Sequence, residues 1–110
     1  MSDTPARIGV TALPGVRLPD GTPVAHVASE LLERMVDLLV ERGATLEVLT
    51  VENLALLLTS TLRYARTDGQ RWAVDAFDLI TDEGVTTVSM LAEHDDHLGW
   101  CLMMGVKRSS

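Results

Sequence analysis

His94 and His97 stand three residues apart in the stretch Glu93-His94-Asp95-Asp96-His97-Leu98-Gly99-Trp100. Two imidazoles and three carboxylates this close could supply nitrogen and oxygen ligands to zinc or a related metal. A histidine beside a carboxylate could also move a proton. Either use needs ligands or partners held rigidly on one point. Adjacent residues in a turn rarely converge in that way, because neighbouring side chains leave the backbone in different directions. His26, the remaining histidine, lies far away in sequence. The stretch therefore reads as a polar turn between two apolar arms, with no metal and no cofactor expected. A small enzyme or a metal-dependent binding protein using His94 and His97 is the alternative.

Asp75, Asp78 and Asp82 repeat at i, i+3 and i+7. On a helix that spacing makes one acidic stripe, which could dock a basic protein partner or serve only as a solvated face. Cys101 is the single cysteine, so no intrachain disulfide can form. Between Trp100 and Leu102 it lacks the electropositive setting of a reactive thiol. His26 reads as a residue near a helix start. Walker A, HExxH, CxxC, GxGxxG and nucleophile-elbow motifs are absent.

The elements that must hold these residues follow from apolar spacing. Residues 6–13 mix β-branched and small side chains and suggest a strand. Pro19-Asp20-Gly21 is a turn signal, since proline presets φ, aspartate bonds nearby backbone and glycine accepts positive φ. Thr22-Pro23 then resembles a helix start, and Val24, Val27, Ala28, Leu31, Met35, Leu38 and Leu39 recur at helical spacing over 23–42. Gly43 ends that helix. Residues 45–49 alternate briefly, like a short strand. Thr50 caps a second helix over 51–66, whose stripe of Val51, Leu54, Ala55, Leu58, Leu62 and Ala65 is widened by Leu56 and Leu57. A third helix is expected over 70–82, with Trp72, Ala73, Ala76, Phe77 and Ile80 on one face and the aspartates opposite. Residues 85–92 and 100–106 alternate in the manner of a hairpin. One arm carries Trp100, Leu102 and Met104 on one side, with Cys101 and Met103 on the other, so both faces are apolar. A single helix over 86–104 is the competitor, burdened by Asp95, Asp96 and Gly99 in its middle.

The expected fold is a helix-rich α+β domain: about three helices on a small sheet with a C-terminal β-hairpin, and an all-α bundle as the alternative. Its 110 residues suit one domain spanning 1–110. A net charge of −7 argues against nucleic acid and anionic membranes as partners. Lys107 is the only lysine against eight arginines, the usage of a GC-rich bacterial genome. Met1 to Arg7 lacks the pattern of a signal peptide, and the run Leu54 to Leu58 is too short to span a bilayer, so a cytoplasmic protein is expected. The functional expectation is a non-enzymatic interaction or regulatory module. A homodimer is expected, its seam including Met103 with Cys101 as a further candidate; Trp100 is also expected to bind a partner, with Asp75, Asp78 and Asp82 as a docking face.

Overall fold

The computed structural model describes residues 9–108. Among the described residues it is built on one mixed six-stranded sheet with two helices. In chain order the elements are β1 (Val10–Arg17), β2 (Pro23–Ala28), α1 (Ser29–Glu41), α2 (Val51–Leu62), β3 (Arg66–Thr67), β4 (Trp72–Thr81), β5 (Gly84–Asp95) and β6 (Gly99–Arg108). The sheet order is β1-β2-β6-β5-β4-β3. Only β2 and β6 are parallel; every other pair is antiparallel.

The helix-rich expectation, and the all-α bundle with it, is overturned by this sheet. Residues 70–82 form no helix; β4 occupies most of them, paired with β5 from Trp72↔Ala92 to Thr81↔Gly84. A β-bulge explains the misleading spacing. Between the pairs Asp75↔Ser89 and Phe77↔Val88, β4 advances two residues while β5 advances one. The extra residue, Ala76, shifts the alternation, so a period of two becomes a local step of three. Helical periodicity is thereby imitated.

The first expected helix divides into strand and helix. Residues 23–28 pair with β1 on one side and with β6 on the other, through His26↔Cys101 and Val27↔Leu102. Two partner strands outweigh the local spacing. Pro23 opens the strand, a position where its missing N–H is tolerated. The turn before it is the one its residues specify. Thr22 N donates to Asp20 Oδ1 at 3.0 Å, and Gly21 takes φ 91°. Helix α1 begins at Ser29 without a side-chain cap and closes at Gly43, φ 95°. Residues 45–49 form no strand: Val48 N and Leu49 N turn back onto the carbonyls of Thr45 and Leu46. Thr50 does cap α2, its side chain accepting from Asn53 N at 3.1 Å. In β1, residues 10–13 fall within the strand expected over 6–13, of which residues 6–8 lie outside the described residues.

One core joins the layers. Leu31 and Met35 of α1 and Ala55, Leu58 and Leu62 of α2 pack with Val88, Met90 and Ala92 of β5 and Leu102 of β6. Burying each large aliphatic side chain contributes about 1.5–3 kcal/mol. Leu56 and Leu57 do not join this stripe: both face outward on α2, Leu56 64% exposed. The distal part of β1 also meets α2. Thr59 Oγ1 donates to the Gly15 carbonyl and accepts from Arg17 N. Alternation along the strands then defines a second sheet face away from the helices, carrying Ala73, Leu91 and Met103 in one row. Ala73 is exposed there, and Leu91 and Met103 are half-buried.

Candidate functional site

The β5–β6 hairpin presents the histidine-rich stretch at its tip. Asp95 Oδ1 accepts from His97 N at 2.7 Å and from Leu98 N at 3.0 Å, and Gly99 takes φ 81° to return the chain. These two backbone N–H groups, His97 first, hold the Asp95 carboxyl below the ordinary aspartate value. This carboxylate, a candidate metal ligand in the sequence, is thus committed to shaping the turn.

The imidazoles diverge. His94 pairs with Trp100 across the hairpin and meets its ring edge-on, with centroids 5.7 Å apart and planes at 72°. Strand alternation directs Glu93 and Asp95 to the face opposite His94. His97 belongs to the turn and is exposed. His26 is no helix-start residue. It lies in β2, and its Nδ1 donates to the Leu98 carbonyl at 3.0 Å, tying the hairpin tip to the neighbouring strand. Among the described residues, no group of three or more His, Cys, Asp or Glu side chains is placed to hold a metal ion.

His94 does meet groups from distant sequence. A cleft of about 910 Å3 is lined by Asp68, Gly69, Gln70, Arg71, Glu93, His94 and Trp100. Arg71 is its hinge: Nε lies 3.1 Å from Asp68 Oδ2 and Nη1 lies 3.3 Å from Glu93 Oε1. The Arg71 side chain holds the Asp68 carboxyl low, and Asp68, then Glu93, raise the guanidinium. All three are exposed, so water screens these pairs strongly. In the sequence, Gln70 and Arg71 read as the start of a helix, and none of residues 68–71 stood out as a site. The β3–β4 pairing that brings them to Glu93 leaves no local signature.

The five residues expected to bind a partner do not share one surface. Asp75 and Asp78 stand on the face away from the helices, because the bulge brings them opposite Ser89 and Thr87, themselves two residues apart. Thr87 Oγ1 donates to Asp78 Oδ1 at 2.8 Å. Asp82 sits past the strand end in the β4–β5 turn. Met103 shares the face of Asp75 and Asp78. Trp100 is on the opposite face, half-buried beside His94. No acidic helix stripe exists.

Cys101 is buried, and its thiol reaches the Gly99 carbonyl at 3.6 Å. Burial pushes this thiol up, with the Asp95 charge adding to the effect. It lies outside the main core cluster, beside His26 on the neighbouring strand. Among the described residues, no helix is long and apolar enough to cross a membrane. Comparison of the chain with protein-family models, with curated proteins and with solved structures finds no match.

Proposed function

We propose that this protein is a non-enzymatic, cytoplasmic interaction or regulatory module that self-associates through the face of its sheet turned away from the helices. The row Ala73–Leu91–Met103 carries this reading. On three adjacent strands, exposed Ala73 and half-buried Leu91 and Met103 stand on the face away from the helices, Met103 also packing against the core cluster. Ile80 and Val85, paired across β4 and β5, form a second apolar pair further along the same face, beyond the polar rows of Asp75–Ser89 and Asp78–Thr87. Exposed apolar surface of this kind usually marks an interaction site.

One charge pair on this face suits a second copy, although Arg71 already holds Asp68 and Glu93 within its own chain. Along β4, Arg71 lies two residues before Ala73 and Asp75 lies two residues after it. A two-fold axis between two stacked sheets, running across the strands through the Leu91–Met103 pair, sets those side chains against their own copies. The same axis brings Arg71 over Asp75 of the second copy. Symmetric closure of this kind is the commonest oligomeric arrangement. Cys101 is already buried within one copy and contributes little to such a seam. Sedimentation equilibrium at tens of micromolar tests the reading. A dimer is expected, shifted to a folded monomer by Met103→Asp; a wild-type monomer at that concentration rejects it.

The cleft beside His94 supports a second reading, a small-ligand or catalytic site built from His94, Trp100, Gln70 and Arg71. It is favoured by its concavity and by the meeting of residues distant in sequence. Against it, Arg71 is already paired with two carboxylates. Screening small polar and aromatic molecules by the chemical shifts of Trp100 and His94 tests it; the reading requires a ligand that a His94→Ala variant no longer binds.

A further inference from the structure

The outer edge of β4 is unlike the rest of the sheet. β3 covers only its first two residues, through Thr67↔Trp72 and Arg66↔Ala73. From Val74 to Thr81, β4 has β5 on one side and, among the described residues, no strand on the other. The C-terminal part of α2 flanks the beginning of this stretch. Between them lies a cavity of about 350 Å3 lined by Ser60, Thr61, Tyr64, Val74, Asp75 and Ala76. After the bulge at Ala76 the ladder is regular from Phe77 to Thr81.

Edge strands are commonly protected by charged side chains, lysine above all, by proline, by bulges or by shortness; β4 has the bulge at Ala76 and Asp78. Phe77-Asp78-Leu79-Ile80-Thr81 contains neither lysine nor proline, and Ile80 is 82% exposed. The two sides of this run differ in chemistry. Phe77 and Leu79 are half-buried on the helix side, at the margin of the core. Asp78 and Ile80 face the other way, and Asp82 follows at the turn.

We infer that Phe77–Thr81 is a strand-addition edge that accepts an extended segment of another protein, basic on one side and apolar on the other. Such a segment would hydrogen-bond to the outward backbone groups of β4. Its apolar residues would extend the layer of Phe77 and Leu79, one of them entering the cavity beside Tyr64, which is 80% exposed. Its basic residue would stand across from Asp78. A second copy of β4 fits poorly. In a symmetric antiparallel pairing, residues of one face must lie opposite each other, which leaves few registers. Centred on Asp78, the pairing sets that carboxylate against itself; centred on Ile80, it sets Asp78 against Asp82. Directly opposed like charges destabilise a strand pair. Centred on Leu79, it presses each Asp78 carboxylate against the apolar Ile80.

The probe is a nine-residue peptide of alternating valine and lysine, acetylated and amidated. Its controls are the valine–glutamate analogue and a valine–lysine peptide N-methylated at alternate residues, which keeps the charge and loses backbone donors. Binding is followed by amide shifts and hydrogen exchange of the full chain. The lysine peptide should perturb Phe77–Thr81 and slow exchange there, and both controls should bind at least about tenfold more weakly, the scale of a few cross-strand contacts. Asp78→Lys should reverse the preference between the lysine and glutamate peptides. Equal binding of the N-methylated peptide would reveal mere charge adhesion and overturn the inference. So would no binding at millimolar peptide. Concentration-dependent protection of these amides in the Met103→Asp variant alone, where that self-association face is disabled, would name a second copy as the occupant and overturn it too. Met103→Asp should leave peptide binding intact, which separates this edge from the self-association face.

Discussion

Leu91 and Met103 face each other across β5 and β6 on the side of the sheet away from the helices, while Ala92 and Leu102, one residue along, face each other inside the core. A single step along β6 therefore separates a surface role from a core role. Leu102 is fully buried, so Leu102→Ala should lower the unfolding free energy by about 2–5 kcal/mol. Met103→Ala should cost clearly less in urea melts at concentrations where the protein is monomeric, and should weaken self-association instead. Equal losses of stability in the two variants would contradict the assignment of faces.

Helix α2 offers a second contrast. Leu58 is fully buried, and Leu56 is 64% exposed two residues earlier. Leu58→Ala should destabilise by about 2–5 kcal/mol. Leu56→Ala and, on α1, Glu33→Ala should each stay within about 0.5 kcal/mol, as exposed changes usually do. Chemical denaturation of the three variants checks the phase of both helices.

The parts of the fold written in local chemistry were legible. The Pro19-Asp20-Gly21 turn, the Thr50 cap, the end of α1 at Gly43 and the alternation of 100–106 each depend on residues next to one another. What could not be read depends on partners distant in sequence. His26 and Val27 belong to a strand only because Cys101 and Leu102 lie beside them. Asp75 and Asp78 mimicked a helix face because one bulged residue broke the period of two, and a bulge in a single sequence has no fixed signature. The candidate site followed the same rule. The turn at Asp95 was visible, whereas Arg71 reaching Glu93 needed the sheet.

The hairpin tip should respond to acid through Asp95. Its carboxyl is held below the ordinary aspartate value by the N–H groups of His97 and Leu98. A depressed carboxyl contributes stability that is present above the unfolded value, about 4, and is lost as pH falls through the folded one. In an NMR titration the Asp95 carboxyl should give a midpoint below the ordinary aspartate value, tracked by the amides of His97 and Leu98. Asp95→Ala should abolish that titration and loosen the turn. A midpoint at or above the ordinary value would mean that the two amide bonds do not form.

The same carboxylate decides whether the tip binds metal. Capture by Asp95 would break its bonds to His97 N and Leu98 N. Glu93 would have to leave Arg71, and His26 Nδ1 would have to release the Leu98 carbonyl. His94 lies across the sheet from Glu93 and Asp95, so joining them means turning a strand residue over. A tight zinc site needs three or four ligands at nearly fixed distances without such rearrangement. Protein purified without chelators should therefore carry far less than one zinc, nickel or iron per chain by elemental analysis. About one equivalent, lost in His94→Ala/His97→Ala, would show that the hairpin tip refolds around a metal and that its turn bonds are the weaker interaction.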